Sequence, residues 1–227
     1  MLALAVAFAI AWSWFAPVRP PAPDLARTEP LRARLARGER MTWVALGDSI
    51  TAGVNAPRSW VALFEAKIRS AYPQALLELI NAGVPGDTAA EGLARLGRDV
   101  LPRKPAAVFI EFGWNDLKNG VSAESFETTL REMVARLRSP DGPMVFLMTT
   151  TQVDVPLANR KVRAHNRAIR RVAEENDLGL IDLHLHFQAA GGRDGTSLKD
   201  LLSSDHIHPS EMGQTLIAEA VAREFEI

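Results

Sequence analysis

No cysteine occurs anywhere in the 227 residues. That single absence removes disulfide staples, thiolate-ligated zinc, iron–sulfur clusters and thiol nucleophiles together. Nor is there an excess of charge of either sign. The 26 Lys and Arg balance 27 Asp and Glu, for a formal charge of -1. Without a basic field to hold a polyanion, nucleic acid is not an expected partner. No internal repeat and no low-complexity tract interrupts the chain. Its 47% apolar and 23% charged residues are those of a globular protein, not a disordered one.

Charge is also missing from the first 18 residues, MLALAVAFAIAWSWFAPV. As a helix this run would be about 27 Å long, just short of a hydrocarbon core of about 30 Å. Trp12 and Trp14 stand near its far end, where indoles favour a membrane interface. Residues 1–18 therefore read as a membrane-targeting segment, either a signal peptide or an anchor. The protein is then expected to be exported (periplasmic or secreted) or held at a membrane. The side it faces is left open, because Arg19, Arg27, Arg32, Arg34, Arg37 and Arg40 follow and favour cytoplasmic retention. Residues 19–40 read as a Pro/Arg-rich linker. VRPPAP at 18–23 is an extended spacer, and Leu25, Leu31 and Leu35 mark a weak amphipathic stretch, expected to be a solvated linker helix.

From Met41 the pattern changes. Apolar runs of strand length stand at 42–46, 76–80, 106–112, 144–149 and 178–183. Helix-period segments lie near 58–71, 88–101, 123–138, 158–175 and 210–225, with Thr88, Ser122 and Ser125 as start signals. Short apolar strands alternating with helices predict a parallel sheet covered on both faces, an α/β domain over 41–227 with about five strands.

In such sheets ligands bind beyond the carboxyl ends of the strands. The residues that follow the predicted strands are Gly47-Asp48-Ser49-Ile50-Thr51, then Asn81 to Thr88, then Gly113-Trp114-Asn115-Asp116, and finally Asp205-His206-Ile207-His208-Pro209. These blocks, G-D-S-I-T, a glycine within N-A-G-V-P-G-D-T, G-W-N-D and D-H-I-H-P, resemble in order and spacing those of the SGNH (GDSL) hydrolases. The resemblance spans 41–227 and is greatest to the compact thioesterase and lysophospholipase-like esterases. It implies a three-layer flavodoxin-like fold and serine ester hydrolysis with no metal and no cofactor. It also implies an oxyanion hole made by the backbone N–H groups of Ser49 and Gly86 and the side-chain amide of Asn115.

The chemistry reads the same way from the residues. A serine hydroxyl needs a neighbouring base, and neutral imidazole can accept at one nitrogen while a carboxylate holds the other. His208 is the expected base and Asp205, three residues earlier, its partner; His206 is the competing base. Pro209 pushes His208 to an extended backbone just outside the last helix. Asp48 and Asp116 read as braces for their loops. Trp114 is either a wall for an acyl chain or packing beneath the loop, and His165 and Asn166 read as surface. The pairs His184/His186 and His206/His208, with Asp182 and Asp205, have the composition of a zinc site. The first pair instead closes a predicted strand, where partly buried histidines are ordinary, and no metal is expected.

The expected function is thus hydrolysis of carboxylic esters or thioesters with short to medium acyl groups through an acyl-serine, the substrate being a small molecule and membrane association resting on residues 1–18. An acyltransferase that passes the same acyl group to a sugar or alcohol needs the same groups. A non-catalytic phosphate- or nucleotide-binding module could use Gly83 to Thr88 as an anion loop. It lacks both G-x-x-x-x-G-K-[ST] and a full G-x-G-x-x-G, and it leaves Asp205 and His208 unexplained. G-x-S-x-G is absent around Ser49, so an α/β-hydrolase elbow is not the architecture.

Overall fold

The computed structural model describes residues 19–191 and 195–227, so the apolar run at 1–18 lies outside the described residues. Among them no helix is long and apolar enough to cross a membrane. Five parallel strands form one sheet: β1 (Arg40–Gly47), β2 (Leu76–Gly83), β3 (Ala107–Glu111), β4 (Met144–Met148) and β5 (Gly179–Ile181). Their spatial order is β2-β1-β3-β4-β5. This is the doubly wound flavodoxin-like order, in which the chain reverses its direction of travel between β1 and β3.

Successive residues of each strand serve opposite layers, because side chains alternate across a sheet. Trp43, Ala45, Phe109, Phe146 and Met148 face one layer. There they meet α1 (Leu25–Ala36), α3 (Trp60–Ala71), α8 (Leu183–Ala190) and α9 (Glu211–Arg223). Val44, Leu46, Val108, Ile110, Val145 and Leu147 face the other. They pack on α4 (Ala89–Asp99), α6 (Ala123–Leu137) and α7 (Pro156–Glu175). The short helices α2 (Ser49–Ala52) and α5 (Trp114–Lys118) sit at the strand ends. Thr88 caps α4 through a capping box with Glu91, and Ser122 caps α6, as their sequence signals predict.

Two expectations are corrected. The stretch 25–36 is not a solvated linker. Leu31 and Leu35 enter the core, Thr28 Oγ1 donates to Glu224 O at 2.6 Å, and the Arg27 guanidinium binds Asp177 O and Oδ1 at 2.6 and 2.7 Å. Three leucines suggest too little for a buried face, but two of them are enclosed in the core and polar ties to Asp177, Glu224 and Glu226 hold the helix in place. The fifth strand is also shorter than predicted, ending at Ile181. Asp182 then caps α8 by accepting from Leu185 N, so His184 and His186 ride on a helix instead of a strand. Two residues apart on a helix, they turn to different sides and line different grooves.

Candidate active site

The carboxyl ends of β1, β2 and β3 meet at the point where the strand order reverses, and the predicted blocks lie there. Beyond β1, the chain turns at Asp48, whose carboxylate accepts from Ile50 N at 2.9 Å and caps α2. Ser49 is the first residue of that helix and is buried, so its N–H has no partner within the helix. Its hydroxyl donates to His208 Nε2 at 2.9 Å. His208 Nδ1 in turn donates to Asp205 Oδ2 at 2.5 Å. Residues 159 positions apart in the chain are thereby joined into one relay.

Asp205 is held from many sides. Its Oδ1 accepts from Ser203 Oγ at 2.8 Å and from the N–H groups of Ile207 and His208 at 2.9 Å, while Oδ2 also accepts from Asn55 Nδ2 at 2.9 Å. Burial alone would raise this carboxyl. The hydrogen bonds from His208, Ile207 and Ser203 outweigh it and hold the group well below the usual carboxylate range. His206 is turned away from Ser49. Its backbone takes φ 62°, and its ring turns to Asp154, with Nδ1 3.4 Å from Oδ2. The left-handed turn at His206 lets two neighbouring histidines face different carboxylates.

On the other flank, Gly86 has φ 91° and nothing within 4 Å of the place a Cβ would occupy. Backbone conformation, not lack of space, calls for glycine there. Asn115, buried at the start of α5, points Nδ2 at Asp87 O (3.0 Å) and Asp48 Oδ2 (3.3 Å). Among the described residues the Ser49 and Gly86 N–H groups donate to no other protein group. The three donors expected of an oxyanion hole therefore sit on three neighbouring strand ends.

Asp48 and Asp116 brace this rim, as expected. Both oxygens of Asp116 accept from Ala89 N at 3.1 to 3.2 Å, which ties the β3 turn to the start of α4. Burial pushes Asp116 up to about 6 and Asp48 up to about 7. These contacts also weigh against an anion loop at 83–88. The N-terminus of α4 is already taken by Asp116 and by Glu91, whose Oε2 accepts from Thr88 N at 2.7 Å. A phosphate would have to displace two carboxylates.

Other supporting residues carried no sequence signal. Arg95, only 7% exposed, donates to Gly47 O, Ala82 O and Asp87 Oδ2 at 2.7 to 2.8 Å, binding the ends of β1 and β2 to the Gly86 turn. Gln214 on α9 donates to Ile50 O at 3.1 Å and accepts from Trp60 N at 2.7 Å, locking the serine turn to the helix that follows His208. Both looked like ordinary polar positions on helices. His165 and Asn166, expected at the surface, are buried. Asn166 Oδ1 accepts from Thr150 N at 3.0 Å, and His165 Nε2 lies 3.0 Å from Val121 O. An Arg-rich helix hid them, because its charges occupy only the outer face. Trp114 lines a groove of about 350 Å³ with Leu117, Val155 and Leu157, flanked by Lys118 and Lys161.

The family profile described as GDSL-like lipase/acylhydrolase matches residues 45–216. The esterase TesA of Pseudomonas aeruginosa is 31% identical over 183 residues, 79% of this chain and 85% of its own. The thioesterase 1/protease 1/lysophospholipase L1 of Escherichia coli is 27% identical over 190 residues, 82% of this chain and 83% of its own. Among solved structures, the acetylxylan esterase Axe2 from Geobacillus stearothermophilus matches with a TM-score of 0.74 at 25% identity, covering 85% of this chain and 97% of that one.

Proposed function

This chain belongs to the GDSL-like lipase/acylhydrolase family and is an ester hydrolase, and we propose that Ser49, His208 and Asp205 are its catalytic triad, with the N–H groups of Ser49 and Gly86 and the Asn115 amide as its oxyanion hole. One observation carries the reading: the unbroken relay from Ser49 Oγ to His208 Nε2 at 2.9 Å and from Nδ1 to Asp205 at 2.5 Å.

As Ser49 Oγ attacks the carbonyl carbon, its proton passes to His208 Nε2. Asp205 keeps the other ring proton on Nδ1 and stabilises the imidazolium that forms. Negative charge grows on the carbonyl oxygen within reach of the three donors. An amide nitrogen has two protons, and Asp48 and Asp87 O occupy those of Asn115 here. A charged oxyanion accepts a stronger hydrogen bond than a neutral carbonyl, so the Asn115 N–H that donates to Asp87 O turns to donate to the oxyanion instead. Collapse of the tetrahedral intermediate expels the alcohol or thiol, which receives the proton from His208. Water then repeats the sequence on the acyl-serine and releases the acid.

The acyl side of the substrate fits the groove beside Asn115. Its walls of Trp114, Leu117, Val155 and Leu157 are apolar, and Val155 and Leu157 are exposed at 42% and 60%. A short to medium acyl chain would cover them. The test is a panel of nitrophenyl esters of rising chain length and an acyl-CoA, assayed on wild type and Ser49→Ala. Activity should vanish in the variant, and a fluorophosphonate should label Ser49. Retained activity, or a label elsewhere, overturns the reading. Adding an alcohol and analysing the products separates hydrolysis from transfer.

A further inference from the structure

Glu111, the last residue of β3, is fully buried at the floor of the site, yet the mechanism above gives it nothing to do. Its Oε2 accepts from Thr51 Oγ1 at 3.2 Å, and its Oε1 is buried with no N–H or hydroxyl donor facing it. The neighbouring group is another carboxyl: Asp48, itself fully buried, follows Gly47, which pairs with Glu111 across the sheet, and its charge acts on Glu111. Two carboxyls in contact away from water cannot both be ionised, so they share a proton.

Hydrogen bonding decides which one keeps it. Asp48 already accepts from Ile50 N at 2.9 Å and Asn115 Nδ2 at 3.3 Å, which favours its carboxylate. Glu111 has one weak hydroxyl donor and a bare oxygen. A proton on that oxygen, donated to Asp48, satisfies both groups. The arrangement also accounts for Gly47, which pairs with Glu111 across the sheet. A Cβ at Gly47 would stand 2.2 Å from Thr51 Oγ1 and close the seat in which Thr51 reaches Glu111.

We propose that Glu111 is a positioning residue for the oxyanion hole: its acid proton is donated to Asp48, and the Asp48 carboxylate so held fixes the Asn115 amide toward the substrate oxygen. This rests on the assignment of Asn115 to the oxyanion hole. The other titratable groups facing the pair are Asp116 of α5 and His208 from the loop before α9, while Arg95 of α4 binds the Gly47 carbonyl beside it. Burial first, and then the Asp48 charge, hold the Glu111 proton well above the ordinary carboxyl range. Its loss at alkaline pH would put two negative charges in one seat and loosen Asn115.

The experiment measures kcat and KM against pH for wild type, Glu111→Leu, Glu111→Gln and Asn115→Ala, with folding checked by circular dichroism. Glu111→Leu should lower kcat roughly 10- to 100-fold, less than the roughly 10²- to 10³-fold loss of an oxyanion donor itself because the amide is loosened and not removed, with KM changed less than about twofold. Glu111→Gln keeps a permanent N–H donor and should recover most of that loss, while abolishing the alkaline fall in kcat expected of wild type. If Glu111→Leu does not fold, the pH profile of Glu111→Gln decides alone. A folded Glu111→Leu with wild-type kcat, or a Glu111→Gln that keeps the wild-type alkaline limb, overturns the proposal. Asn115→Ala separates the two failures. Full activity in that variant sinks the oxyanion assignment and this proposal with it, whereas a large loss there beside an unaffected Glu111→Leu sinks only the coupling.

Discussion

Asp205 and Asp48 serve the two halves of one site, and their surroundings drive their carboxyls in opposite directions. The Asp205 side chain lies in a loop, 33% exposed, and accepts from His208, Ile207, Ser203 and Asn55. Asp48 is completely buried, accepts from Ile50 and Asn115, and abuts a second acid. Where donors outnumber the cost of burial, the carboxylate is fixed as an anion and can stabilise a passing positive charge. Where burial dominates, Asp48 and Glu111 hold one proton between them and become part of a fixed scaffold. The half proposed to move protons therefore faces solvent, and the half proposed to hold the oxyanion donors still is dry.

That contrast exposes the protein to measurement. Asp205→Asn keeps the shape of the loop but offers His208 the wrong hydrogen-bond partner, and kcat should fall by about 10³- to 10⁴-fold. A fall of tenfold or less would mean that the loop half does not work through an ionised partner. Asn115→Ala removes one donor on the dry half, and kcat should fall about 10²- to 10³-fold with the protein still folded.

Stability should respond to pH with opposite signs in the two halves. Burial raises Asp48 to about 7 and Asp116 to about 6. The folded state thus keeps protons that an unfolded chain releases near pH 4. Their contribution to stability is present below about pH 4 and is lost as pH rises toward about 7. Asp205, with its folded value depressed, contributes above about pH 4 and loses that contribution only on acidification. Melting temperatures of wild type and Asp48→Asn between pH 4 and 8 test this, and the variant should show the shallower decline. An unchanged slope would remove Asp48 from the account. The smallest effect belongs to His206→Ala. Its ring faces Asp154, so kcat should change less than about twofold in a standard ester assay.

Much of this was legible beforehand because it depends on local pattern. Strand and helix periods placed every strand of the sheet, and the resemblance to the SGNH hydrolases singled out Ser49, Gly86 and Asn115 in the polar blocks after three strands, which the fold brings to one rim. Other features were hidden for definite reasons. The alternation in Leu183-His184-Leu185-His186 suits a strand, but the Asp182 cap starts a helix. His165 and Asn166 sit among arginines that face outward, so composition masked their burial. Arg95 looks like one more helical arginine, and only the approach of Gly47 O, Ala82 O and Asp87 makes it a clasp.

The amino-acid order by itself determined the alternation of elements, the rim on which reactive side chains fall and the family to which the chain belongs. The first two follow from spacing along one strand or helix, and the third from the resemblance carried by four short blocks in order. The turning of the His206 ring to Asp154, the depressed Asp205 carboxyl and the burial of Asp48 and Glu111 beneath Ser49 were decided by tertiary structure alone. Each depends on donors and burial supplied by segments far apart in the chain, such as Asn55 beside Asp205 at a separation of 150 residues. Charge in a folded protein is set by what surrounds a group in space, and no local pattern encodes that.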